Sequence, residues 1–363
     1  MCPLMKIGLI GLPRSGKTSL FNLLTGQSVA TSSFGGSRAE MHVGVARVPD
    51  ERLDRLSALH NPKKTTPATF EVVDVAGIEK GERQGLDAKE FRNADALLHV
   101  VRAFPDAAGG AATPRADIAD LGTELILADL EVIERRLERL EASIKKKRVD
   151  AEVKEQEVLR RLKPALESET PLRAAGLGVD ETRIVRGFTF LSQKPILHCL
   201  NVSEKEIGRS AALAESFDLG DVAGRPATRL GWVSAVIEAE VAGLAGDEQA
   251  AFLADLGLAE PAIRRVLRDC YALLGLVSFF TVGDDECRAW SVPAGTRAQD
   301  AAGAIHSDIA RGFIRAEVVG YDELIAAAGS MAAVRERGQF RLEGKDYTVQ
   351  DGEICHFRFN VAK

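Results

Sequence analysis

The sequence predicts an α/β fold: a parallel sheet with helices on both faces, a helical hairpin inserted in it, and a small α+β unit at the end. Three observations predict it. Short apolar runs alternate with segments of helical spacing. A heptad seam interrupts that alternation in the middle of the chain. The last 85 or so residues hold short strands among turns, with one helix around 298–312. At 363 residues there is room for two or three domains.

The first element is "KIGLIGL" (6–12), an apolar run bounded by glycine, as in a buried parallel strand. "SLFNLL" after it has helical spacing. "TFEVVDVAG" (69–77), "ADALLHVVRAF" (94–104) and "KPILHCLNV" (194–202) repeat the strand pattern. Between the last two, Ile126, Leu130, Ile133, Leu137, Leu140 and Ile144 recur every four or three residues. Val158 or Leu159, then Leu162 and Leu166, resume an apolar stripe after a charged stretch, so an antiparallel helix pair satisfies both seams. The expected organisation is a nucleotide-binding domain over 1–120 and 191–246, the hairpin over 121–190, a helical connector over 247–276 and the C-terminal unit over 277–363.

Composition narrows the class. With 45% hydrophobic and 28% charged residues the chain is an ordinary globular protein, and a net charge of −6 argues against a general nucleic-acid coat. Residues 134–163 run the other way, with eleven Lys and Arg against seven Asp and Glu. The hairpin is therefore the candidate for touching RNA, although a solvated charged face accounts for the same count. The five cysteines stand singly, without zinc spacing, which fits reduced thiols. No export signal and no membrane span is expected, hence a cytoplasmic protein.

Gly11-Leu-Pro-Arg-Ser-Gly16-Lys17-Thr18 matches GxxxxGK[ST] between a strand and a helix. Backbone N–H groups from Arg14 through Ser15, Gly16, Lys17, Thr18 and Ser19 would hold phosphate oxygens. Lys17 would reach the β- and γ-phosphates, and the Thr18 hydroxyl would coordinate Mg²⁺. Asp74, closing a buried strand as DxxG, is the second Mg²⁺ candidate, and the Gly77 amide is placed to sense the γ-phosphate.

The base is decided at another strand tip. Guanine-specific proteins of this class carry Asn-Lys-x-Asp, whose aspartate accepts two hydrogen bonds from guanine. Here the tip is Asn201-Val202-Ser203-Glu204. Glu204 is one methylene too long for that role, and Val202 removes the lysine stem that packs on the base. Adenine N1 would repel a carboxylate, so adenine binding needs Glu204 turned away and amide or backbone groups reading the base. The Asn201 amide is the expected reader, and Ser234-Ala235 the last loop around the base. ATP is the expected nucleotide, with GTP the alternative.

These motifs, with "FEVVDVAGIEKG", "HVVRAF", "TELILADLEVIERR", "CRAWSVPAGTRAQDAAGAIHSDIARGFIRAEVV" and "EGKDYTVQDGEICHFRFNV", resemble the YchF / Obg-like ATPase family of translation-factor-related P-loop proteins over essentially the full length. The resemblance implies a Ras-like nucleotide domain, a hairpin insertion and a C-terminal TGS domain of ubiquitin-like fold. It also implies ATP preferred over GTP and association with ribosomes; a monomer is expected. The sequence departs from the family in three places. Arg14 replaces an Asn linked to a monovalent cation. Arg38, with Ser37 the only neighbouring hydroxyl, stands where a threonine meets Mg²⁺. The loop after "HVVRAF" lacks the family's catalytic histidine.

With Ile78 where Ras-like enzymes orient water with glutamine, a slow ATPase is expected, in which Lys17, Gly77 and Arg14 are the catalytic candidates. In that scheme the Arg14 guanidinium takes the missing cation's place; the alternative, an Arg14 side chain that points into solvent, is the expected one of the two. A scaffold that binds nucleotide without hydrolysing it, and a true GTPase, are the competing readings. His99, within an apolar strand, is expected to be a core residue, and Trp232 and Trp290 packing residues.

Overall fold

The structure, a computed structural model, describes residues 4–29, 41–74, 91–105, 109–209 and 212–360. Strands β1 (Lys6–Ile10), β2 (His42–Arg47), β4 (Thr69–Asp74), β5 (Ala96–Ala103), β6 (Ile196–Val202) and β7 (Thr228–Val233) form one sheet, in the order β2-β4-β1-β5-β6-β7. The run β1, β5, β6, β7 is parallel throughout. All seven residues of β6 are buried, as a strand covered on both faces requires.

Helix α1 (Lys17–Thr25) follows β1 and buries Leu20, Phe21 and Leu24; Gly26, in the left-handed region, ends it. The hairpin is α3 (Pro114–Lys146) and α4 (Asp150–Glu167), after α2 (Glu51–His60). Pro114 sits at the first turn of α3, where its missing N–H costs nothing. The predicted seam packs: Ile126, Ile133 and Leu140 are buried with Val158, Leu159, Leu162 and Leu166. Both Val158 and Leu159 are buried, so the open choice between them resolves to the pair. At the hairpin's base, buried Asp129 accepts hydrogen bonds from the N–H groups of Leu191 (2.9 Å) and Ser192 (2.6 Å), fixing α3 to the chain that enters β6.

A second sheet has the order β11-β10-β12-β8-β9-β3, with β3 at Lys64–Thr66, β8 at Leu276–Thr281, β9 at Glu286–Pro293, β10 at Phe313–Val319, β11 at Arg341–Glu343 and β12 at Ile354–Phe359. Its α+β character is as expected. The expected boundaries are not those of the compact units, which are Lys6–Gly44 with Val72–Leu273, and residues 1–5 and 45–71 with 274–363. Residues 45–71 pack with the C-terminal unit because β3 pairs parallel with β9 and Arg52 of α2 binds Asp351 at 2.6 Å. The segment expected to be a connector is α6 (Gly246–Asp255) and α7 (Ala262–Leu273), after α5 (Ala235–Gly243). It belongs to the first unit: α7 starts on the carboxylate of buried Glu238, which accepts from Ala262 N–H at 2.7 Å.

His99 is in the core, as expected, and has a partner that sequence inspection missed. It lies beside His198 in the β5–β6 register, and their Nδ1 atoms are 3.0 Å apart. One ring must carry its proton on Nδ1 and the other on Nε2 for that bond to form. Burial pulls His99 down to about 3 and His198 well below its usual value. Unfolded, each takes up a proton near pH 6.5, so their stabilisation is complete above that pH and is lost as pH falls toward 3. Urea unfolding at pH 7.5 and 5.5 is expected to differ by about 3 kcal/mol from this pair, and the double variant His99→Leu/His198→Leu to lose most of that difference.

Candidate functional site

The loop between β1 and α1 crosses the carboxyl end of the parallel sheet, where such sheets bind ligands. Its glycines are dictated by crowding. A Cβ on Gly11 would lie 2.7 Å from the Val100 carbonyl oxygen, and one on Gly16 2.2 Å from Asn201 Nδ2. Gly16 also has φ 93°, open to glycine and strained for others. Arg14 has φ 63° without that freedom. Its side chain is exposed and forms no ion pair among the described residues.

Asn201 holds the loop in place. Its Nδ2 donates to the Ser15 carbonyl at 2.9 Å, and its Oδ1 accepts from Ala235 N–H at 3.0 Å. The backbone thus engages one N–H and one lone pair of the amide that was expected to read the base, which leaves one N–H and one lone pair. Val202, buried, ends β6 beside Ala103; Glu204, exposed, opens a short helix; Ser234, buried, precedes α5.

Lys17 opens α1 with Thr18 and Ser19 in the same first turn. The Lys17 Nζ lies 3.6 Å from Asp74 Oδ1, and Thr18 hydrogen-bonds the same carboxylate. Burial lowers the Lys17 pKa and raises that of Asp74, since each is withdrawn from water by more than the other repays at that distance. His42 on β2, which nothing in its sequence context marks, adds positive potential at Asp74.

Three buried atoms here have no hydrogen-bond partner among the described residues: Ser15 Oγ, Asp74 Oδ1 and Ser234 Oγ. Each such atom costs on the order of 1–3 kcal/mol. Their gathering around the loop fits a polar ligand, and a hard cation at Thr18 and Asp74 fits their oxygen donors. No cluster of three His, Cys, Asp or Glu side chains occurs among the described residues. Gly77 lies outside the described residues, as do Ser37, Arg38 and Ile78. Of the other residues noted, Trp232 stacks under Arg265 at 4.3 Å, and Trp290 donates to Thr281 Oγ1 at 2.9 Å. No helix among the described residues is long and apolar enough to cross a membrane.

Residues 6–146 match the family described as 50S ribosome-binding GTPase. Residues 276–360 match the C-terminal YchF family described as a protein of unknown function (DUF933). The chain is 42% identical to the ribosome-binding ATPase YchF of Bacillus subtilis, over 98% of this chain and 99% of the relative. It is 40% identical to the protein of the same name from Haemophilus influenzae, with the same coverage. Among solved structures, that of the Schizosaccharomyces pombe YchF GTPase superposes with a TM-score of 0.85 at 27% identity, covering 99% of this chain and 98% of that one.

The left-handed Arg14 generates a prediction. Asparagine tolerates that conformation better, so Arg14→Asn is expected to raise the unfolding free energy by about 0.5–1 kcal/mol. A higher urea midpoint at unchanged m-value would show it; an unchanged or lower midpoint would refute the strain.

Proposed function

The chain belongs to the YchF family, and from that premise we propose that it is a ribosome-associated P-loop ATPase that works as a slow, nucleotide-operated switch. The observation that carries the nucleotide reading is the amide-tied loop with Lys17 at its end and, around it, buried oxygens with no hydrogen-bond partner among the described residues. Ribosome association is supported by the names of the bacterial relatives. The protein acts as a monomer in the cytoplasm.

Loop amides from Arg14 to Ser19 and the helix N-terminus receive the phosphates, and Lys17 neutralises their charge. To do so, its ammonium leaves a carboxylate that holds it only at 3.6 Å. Thr18 and Asp74 would hold Mg²⁺, which when bound neutralises charge on the transferred phosphoryl group. Ser234 Oγ and the remaining N–H and lone pair of Asn201 would meet the base, Ala235 and Val202 flank it, and Glu204 offers no aspartate at the guanine position. ATP is therefore the substrate, although the Schizosaccharomyces pombe protein is called a GTPase. Turnover is slow because no glutamine stands at 78 and no histidine occurs from 105 to 113. Gly77 would sense the γ-phosphate, and Arg14 would stabilise phosphate charge in the place of a monovalent cation.

Calorimetric titration with ATP, ADP and GTP in Mg²⁺ tests this. ATP should bind at least tenfold more tightly than GTP, and Lys17→Ala should weaken ATP about 10–100-fold. Turnover should fall well below the roughly 1–100 s⁻¹ of kinases and should not respond to exchange of K⁺ for Na⁺. GTP outcompeting ATP, or no purine nucleotide bound at millimolar concentration, would overturn the assignment.

A further inference from the structure

We propose that the hairpin carries a groove for single-stranded RNA, with phosphates along Arg135, Arg139 and Lys146 of α3 and one unstacked base against Phe188. This rests on the ribosome-associated reading above and names a surface for it.

The hairpin's positive charges divide into two groups. Arg136 makes two hydrogen bonds to Glu155 (2.6 and 2.9 Å), Arg160 binds Glu141 at 2.9 Å, Arg161 binds Glu181 at 2.6 Å, and Lys163 binds Glu134 at 2.9 Å. These pairs brace the helices and leave little field outside. Arg139, Lys145, Lys146, Lys147, Arg148 and Lys154 are exposed and form no ion pair among the described residues. Arg135 pairs with Glu131 one turn earlier, an exposed contact that a phosphate displaces at small cost. At 3.6 residues per turn, Arg135, Arg139 and Lys146 share one face over about 16 Å.

Beside that row is a hollow of about 560 Å³, lined by Val132, Arg135, Arg136, Arg139, Ile184 and Phe188 among others. That size accommodates a drug-sized ligand, and so a nucleotide. Glu155 also lines it, with its charge taken by Arg136. Phe188 stacks parallel to buried Phe190, with ring centroids 5.1 Å apart. Arginine at the rim and a stacked ring with aliphatic side chains inside suit an anion joined to a flat ring. Unpaired RNA presents that combination, with bases free to stack on aromatic side chains. An acidic peptide would use the cations and leave the ring idle.

Fluorescence anisotropy of a labelled 12-nucleotide single-stranded RNA, titrated with the full chain at several salt concentrations, tests the groove. Three phosphate contacts predict a slope of log K against log salt near about −2. Arg139→Gln/Lys146→Gln should weaken binding and reduce the magnitude of that slope by more than about one. Phe188→Ala should weaken binding about tenfold at unchanged slope, with Phe188→Tyr restoring it. Calorimetric ATP binding serves as the folding control for each variant. RNA binding unaffected by these substitutions, or polyglutamate competing as well as RNA, would overturn the groove. Co-sedimentation with ribosomes separates the two levels: wild-type chain that fails to sediment sinks the ribosome reading itself, whereas groove variants that sediment like wild type sink only the groove.

Discussion

The phosphate loop keeps its shape because of one buried amide at the end of a strand almost two hundred residues away. Asn201 reaches Ser15 on one side and Ala235 on the other, and the absent Cβ of Gly16 makes room for it. Its own position is fixed by the parallel register with β5 and β7, which places it opposite Arg102 and Val233. Sheet, loop and the turn before α5 are therefore tied together through one side chain. The loop need not be ordered by the ligand it would bind, which lowers the entropic cost of binding.

The electrostatics follow the same logic of readiness. Lys17 and Asp74 are withdrawn from water and lie 3.6 Å apart, and three buried oxygens, one of them on Asp74, have no hydrogen-bond partner among the described residues. A protein selected only for stability would close such gaps. Their location at the end of a strand–loop–helix motif marks them as provision for a polar guest. The hairpin is a different case, since Asp129 binds it through two backbone N–H groups and Arg136, Arg160, Arg161 and Lys163 are each paired with a carboxylate.

What could be read from the residues alone was what is local or periodic. The loop, Asp74 and the heptad seam each declare themselves through spacing, and each lies where its pattern placed it. Long-range pairing was not legible. Strand β3 is Lys-Thr-Thr, with no apolar alternation, and its partner strand lies more than two hundred residues on. The helix α7 looked like a spacer because its stripe of Val266, Leu267 and Cys270 does not say which surface covers it. The His99–His198 contact likewise depends on register between strands. Asn201 was singled out for its chemistry, but which of its atoms the backbone would claim depends on the neighbouring loops.

The segment 45–71 bears on how this molecule could have been assembled. It belongs to the C-terminal unit, while the strands at its two ends, β2 and β4, continue into the nucleotide-binding sheet. The terminal module is thus interwoven with the first and was not hung on the end like a bead. Gene fusion or loss at a single junction near residue 274 would strand α2 and β3 without the sheet they complete. Inheritance of the two halves is expected to be joint, with Arg52 and Asp351 changing together or not at all.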